Sequence, residues 1–317
     1  MLKISPVFKD YIWGGTKLKT LYDKKSDLDI VAESWELSTH KDGQCTIAQG
    51  PDAGKTLAEY IKGKGGNILG YHAQHSDELP ILIKLIDARD NLSVQVHPDE
   101  EFAAIYEGDH GKTEMWYILE AEEGAQLVYG FRKDMTREEF EERIQNNTLT
   151  ESLNYVDVKK GDVFFIQPGT MHAIGKGILI EEVQQSSNVT YRVYDYGRKG
   201  ADGKPRQLHI DKAVQVTNLE QASHAKVEYT LEQEDGYARG ILAKCKYFIV
   251  ERLDITKEIA MYCDENSFHS LLVTEGNLKV YSDTETLEAK KGDSIFIPAG
   301  SGNYKIQGKG QVILSTI

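Results

Sequence analysis

Gln95 and His97 lie two apart in Asn91-Leu92-Ser93-Val94-Gln95-Val96-His97-Pro98-Asp99. In a strand, side chains two apart share a face, so Ser93, Gln95 and His97 point one way and Val94 and Val96 the other. Facing inward, three polar groups are costly unless they bind something. Facing outward, they are an ordinary solvated stripe. An amide oxygen and an imidazole nitrogen both suit a divalent metal. Glu114 opens the apolar run Met115-Trp116-Tyr117-Ile118-Leu119, and His172 follows the Pro168-Gly169 turn. Two histidines, a carboxylate and an amide oxygen from three strands make an N/O metal set. Zinc suits it, and iron or manganese fit the same donors. The bland alternative is that His97 and His172 are unrelated surface histidines.

A third polar cluster runs from Ile180 to Tyr196. In a strand, Glu181 and Glu182 face opposite ways. Arg192 sits in a β-prone run and can be the fixed cation of an anion site, because a guanidinium binds oxyanions through charge-assisted bonds. The alternative is a surface arginine paired with Asp195.

Short apolar runs bounded by Gly and turn residues, such as Leu127–Gly130, Val163–Ile166 and Ser294–Ile297, predict a mainly β protein. Helices are expected over Met135–Asn146, with Thr136 and Glu139 as a capping box, from Thr56 to Ile61, and over Pro98–Tyr106. An internal repeat stands out: Val158-Lys159-Lys160-Gly161-Asp162 to Gly169 matches Ala289-Lys290-Lys291-Gly292-Asp293 to Gly300. The offset that leads to His172 in the first copy leads to Asn303 in the second, so a metal ligand is expected in one half only. The polar stretch from Gln221 to Gly236 is the expected boundary, giving a metal-binding unit over 1–225 and a second unit lacking the metal site over 226–317.

The 317 residues carry a net charge of −13, which disfavours binding to a phosphate backbone while leaving room for a locally basic pocket. Three well-separated cysteines suggest neither a disulfide framework nor a thiolate metal site, and fit a reducing cytoplasm. No signal-peptide h-region, membrane span or obligate protein partner is expected.

At this point the motifs resemble a family. Pro6–Gly15, Glu33–Ser38, Leu92–Asp99, Gly111–Trp116, Pro168–Ala173 and Tyr191–Tyr196 resemble the type I mannose-6-phosphate isomerases, in the compact bacterial form. The resemblance implies two cupin (jelly-roll) barrels, with a few helices inserted in and around the first. It implies one zinc held by Gln95, His97, Glu114 and His172. It implies a pocket lined by Lys112, Glu181 and Arg192, with Trp13, Lys84 and Ser93 nearby. The implied reaction interconverts mannose 6-phosphate and fructose 6-phosphate through a cis-enediol. Glu181 is the first candidate for the base, because a desolvated carboxylate titrates closer to neutrality, with His97 and Lys112 as alternatives. Lys112 and Arg192 are expected to steady developing charge. Two other readings compete. A metal-dependent oxygenase would carry an HxH pair, where this chain has Gln95. A non-catalytic cupin that binds or senses a sugar phosphate would keep the pocket without turnover.

Overall fold

The two Lys-Lys-Gly-Asp turns fold alike. A computed structural model describes residues 1–73, 76–200 and 203–317. In it the Asp162 N–H donates to the Lys159 carbonyl at 3.1 Å and the Asp293 N–H to the Lys290 carbonyl at 2.9 Å. Each carboxylate accepts in return from the Lys159 or Lys290 N–H, at 3.0 and 2.8 Å. Gly161 and Gly292 sit at φ of 90° and 91°, a region other residues avoid. Their N–H groups donate to the carbonyls of Ile118 and Val273, both at 2.8 Å. Ile118 and Val273 are therefore counterparts. The strand register carries the equivalence further: Ile166 pairs with Glu114 as Ile297 pairs with His269.

In the first half, a six-stranded sheet runs in the order Val163–Ile166, Glu114–Ala121, Ile178–Gln185, Ile81–Ala88, Glu33–Leu37, Val7–Lys9. It faces a five-stranded sheet ordered Tyr191–Tyr194, Val94–Val96, His172–Ala173, Gln126–Phe131, Leu153–Asp157. Trp116, Ile118, Phe164 and Ile180 fill the space between them. The outer face of the smaller sheet, with Val94, Val96 and Met171, packs beneath Phe140 of the helix Arg137–Gln145 and Ala213 of the helix Ile210–Val216. The second half is one ten-stranded sheet folded around Leu253, Leu271, Ile295 and Ile306. The sheets are open, so the architecture is mainly β with inserted helices.

Two features join the halves. The outer face of the six-stranded sheet, with Leu85, Met115, Tyr117 and Val183, shares a core with Phe248, Phe268, Phe296 and Ile313 of the second half. Each fully buried side chain of this size contributes about 1.5–3 kcal/mol of transfer free energy. The strand Leu2–Ser5 also leaves the first half and pairs with Ser294–Ile297, and Thr46–Ile47 pairs on its other edge.

The expected helices form at Leu57–Lys64, Glu100–Tyr106 and Arg137–Gln145. The complete capping box belongs to Thr56 and Glu59. At Thr136 only half of it forms, because the Glu139 carboxylate is held by Arg143 and Lys133 instead. Asn303 does not take the inward place of His172: it is exposed, and the next residue, Tyr304, turns into the core. There its hydroxyl meets His269 Nδ1 at 2.7 Å. His269, the register counterpart of Glu114, thus spends one ring nitrogen on a core tyrosine. No helix is long and apolar enough to cross a membrane among the described residues.

Candidate active site

His97 follows the short strand Val94–Val96, Glu114 begins the strand Glu114–Ala121, and His172 begins the strand His172–Ala173. All three are buried, and their ligand atoms lie within 4.8 Å of one another. His97 Nδ1 lies 2.8 Å from the Val189 carbonyl, and His172 Nδ1 lies 2.9 Å from the Thr170 carbonyl. A carbonyl only accepts, so each Nδ1 carries the proton and each Nε2 presents a lone pair. Those two Nε2 atoms are 3.1 Å apart, and Glu114 Oε1 is 3.2 Å from His97 Nε2. Three acceptors converging in a buried site repel unless a cation lies among them; the Lys112 ammonium meets two of them, His97 Nε2 and Glu114 Oε1, and a divalent ion would satisfy all three. The protonation pattern is the one a divalent ion requires. Burial pushes the His97 imidazole down to about 3 and lowers His172 as well. Burial opposes ionisation of Glu114, but the Lys112 ammonium beside it overcomes this and holds the carboxyl well below its usual range.

Gln95 completes this corner. It pairs with His172 on one side and Arg192 on the other, and its amide lies 3.4 Å from His172 Nε2. It shares a face with Ser93, as strand alternation requires, and the Ser93 hydroxyl lies 3.3 Å from Gln95 Oε1.

The cluster borders a cavity of about 270 Å³, a size suited to a small ligand. Trp13, Lys84, Ser93, Gln95, Lys112 and Arg192 all line it. Lys112 Nζ bonds Glu114 Oε1 and lies 3.2 Å from His97 Nε2. Arg192 donates to Ser93 Oγ at 3.3 Å and to the Gln207 carbonyl at 2.9 Å. The expected alternative for Arg192 does not form, since Asp195 pairs with Arg198 and Arg206.

Glu181 is the correction. It lies on the strand Ile178–Gln185 opposite Leu85 and Tyr117, whose side chains belong to the core shared by the two halves. Both its oxygens are buried without a hydrogen-bond partner among the described residues, and burial with the nearby Glu36 raises its carboxyl well above the usual range. It does not line the cavity. Its neighbour Glu182 does, accepting from Trp116 Nε1 at 3.0 Å and lying 3.1 Å from Lys84 Nζ. Burial, aided by Glu114, raises the Glu182 carboxyl. Burial also disfavours the Lys84 ammonium, but Glu182, Glu33 and Glu114 outweigh it and keep the amine protonated.

Sequence reasoning also missed Tyr11, Glu33 and Arg206 on the cavity wall. Tyr11 and Glu33 belong to segments quoted for the resemblance, which was the available signal. Arg206 had none.

Comparison with known proteins bears on the same geometry. The family profile for the phosphomannose isomerase type I catalytic domain matches residues 1–149, and that for the mannose-6-phosphate isomerase cupin domain matches residues 240–317. A mannose-6-phosphate isomerase of Bacillus subtilis (strain 168) is 37% identical over 99% of this chain and 98% of its own. This chain belongs to the type I phosphomannose isomerase family. Another member of the family, from Streptococcus mutans, is 34% identical over 96% of this chain and 94% of its own. The crystal structure of the Bacillus subtilis mannose 6-phosphate isomerase superposes with a TM-score of 0.93 at 34% identity, covering 100% of this chain and 99% of that one. A structure from Archaeoglobus fulgidus shares the fold, with a TM-score of 0.79 at 22% identity, covering 99% and 97%.

Proposed function

We propose that the chain interconverts D-mannose 6-phosphate and D-fructose 6-phosphate in the cytoplasm, with zinc as its metal and a sugar phosphate as its small-molecule partner. The observation that carries the reading is the convergence of His97, Glu114 and His172 beside a cavity that also holds a buried acid and two guanidinium groups. Gln95, His97, Glu114 and His172 would hold the zinc. When bound it would supply Lewis-acid stabilisation of charge on the sugar oxygens. The two repeats support reading the halves as two cupin units meeting near residues 225 and 226.

The chain's own residues account for proton movement. Isomerisation takes the proton from C2 of the aldose and returns one to C1, through a cis-enediol. Glu182 is the cavity carboxylate suited to carry it, because burial raises its basicity while Lys84 and Trp116 fix its oxygens. Lys84 and Lys112 present ammonium groups to developing negative charge. Arg192 sits next to Gln95 in the sheet, so a phosphate on its guanidinium keeps the sugar within reach of the metal corner.

A coupled isomerase assay with and without a chelator, alongside metal analysis, tests the reading. Turnover that is lost on chelation and restored by zinc supports it. Tight binding of sugar phosphate without turnover would favour a sensor instead.

A further inference from the structure

We propose that Arg206 is a second phosphate-binding residue, sharing the cavity wall with Arg192 and aimed by the buried carboxylate of Asp195. The inference rests on the isomerase reading above and adds a residue to its substrate site.

Four cationic side chains line the cavity. Lys84 is matched by Glu182 and Lys112 by Glu114. Arg192 makes no ion pair among the described residues; its guanidinium bonds only a hydroxyl and a carbonyl. Arg206 is the fourth. Asp195, 5% exposed, takes its Nε at 2.7 Å and one terminal nitrogen as well. Among the described residues the other terminal nitrogen has no partner, which leaves it for a ligand.

Asp195 also binds Arg198, which is not on the cavity wall and donates to the Asn91 carbonyl. One carboxylate therefore serves two guanidinium groups, with a third, Arg192, close by. This corner carries an excess of positive charge in a chain whose net charge is −13. Neighbouring guanidinium groups repel, and a dianion between them relieves the repulsion.

Hydrogen bonds tie the segment after Arg206 to Arg192. The Arg192 side chain donates to the Gln207 carbonyl at 2.9 Å. The His209 N–H donates to the Arg192 carbonyl at 2.8 Å. The Arg192 N–H in turn meets His209 Nδ1 at 3.2 Å. The segment after Arg206 thus runs back along the Arg192 strand. A guanidinium already fixed by a buried carboxylate loses little freedom on binding, so it adds affinity for a phosphate oxygen at low entropic cost.

The same residue would separate phosphorylated from plain hexoses, since only the former fills this corner. The test uses the full-length, zinc-loaded protein. Steady-state kinetics on mannose 6-phosphate are combined with titration of inorganic phosphate as a competing ligand. Arg206→Ala is expected to raise KM and the phosphate dissociation constant together, about tenfold or more, with kcat within about twofold. Arg206→Lys is expected to recover part of the loss and guards against misfolding of the alanine variant. Asp195→Asn, which loosens the aim of Arg206, is expected to raise KM less than Arg206→Ala and leave kcat alone. A folded Arg206→Ala with KM and phosphate binding within twofold of the parent overturns the proposal, as does a fall in kcat with phosphate binding intact. If the parent protein turns over no sugar phosphate, the isomerase reading fails, while the phosphate titration still judges Arg206.

Discussion

Glu181 and Glu182 are neighbours on one strand, yet the first is sealed in the core shared by the two halves and the second faces the cavity. One peptide unit separates an acid without partners from an acid held by Lys84 and Trp116.

Their neutral variants should therefore part company. Glu182→Gln removes the proposed proton carrier and is expected to lower kcat by about 10²–10⁴, with zinc content unchanged. Glu181→Gln is expected to keep kcat within about twofold. Kinetics on both zinc-loaded variants decide it, and an inactive but folded Glu181→Gln would return that residue to the chemistry.

Glu181 should instead shape stability. Its folded pKa is raised, so above about pH 4.3 the unfolded chain releases a proton that the native protein keeps. Stability is then lost as pH rises, by up to about 1.4 kcal/mol per unit across that window. Glu181→Gln is expected to be the more stable protein at pH 8 and to match the parent near pH 4. Urea midpoints at the two pH values measure this, and identical slopes would contradict it.

How much of this was legible in the sequence differs from residue to residue. The convergence of His97, Glu114 and His172 was, because histidine and glutamate inside apolar strands have few reasons to be there. The proposed proton carrier was not. Both faces of Ile178–Gln185 are buried, so Ile180 and Glu182 alternate with Leu179, Glu181 and Val183 without a polar side to mark the solvent. Arg206 reaches the cavity from a loop, where no periodicity applies. The repeat was legible because Gly161 and Gly292 report a backbone conformation. Asn303 is exposed where His172 is buried, because a matching turn does not guarantee that the next strand keeps its facing.

The proposed metal ligands give a further expectation. His172→Ala should lower zinc content and activity together by at least about tenfold, since few ligands share the ion. Asn303→Ala, at an exposed position, should change neither. Metal analysis by mass spectrometry checks both, and a fully loaded His172→Ala would remove that residue from the set.

His269 predicts an acid response in the second half. Burial depresses its pKa to about 4, against about 6.5 when unfolded. The unfolded chain binds its proton first, so this stability is present above about pH 6.5 and is lost as pH falls toward 4. Between pH 6.5 and 5 the loss is at most about 2 kcal/mol. His269→Gln is expected to flatten that part of the profile in denaturant titrations; an unchanged profile would count against it.

The two repeat turns should not tolerate alanine equally. At Gly161 an added Cβ meets only the Tyr229 hydroxyl at 3.8 Å, so Gly161→Ala costs about 1 kcal/mol for the backbone alone. At Gly292 the same atom falls 2.4 Å from the Tyr22 carbonyl, and Lys24 Nζ is bonded to the Gly292 carbonyl. Gly292→Ala is expected to cost about 2–4 kcal/mol. Thermal unfolding of the pair tests this, and equal losses would refute it.

The pairing of Leu2–Ser5 with Ser294–Ile297 also sets an order of events on the ribosome. Lys3 and Asp293, joined by an ion pair, are 290 residues apart. At about 5–20 residues per second, the partner strand emerges roughly 15–60 s after the first. For that interval the strand has Thr46–Ile47 on one edge only, and its other edge stays open to chaperones and to other nascent chains. A strand made late is what closes the protein around one made early.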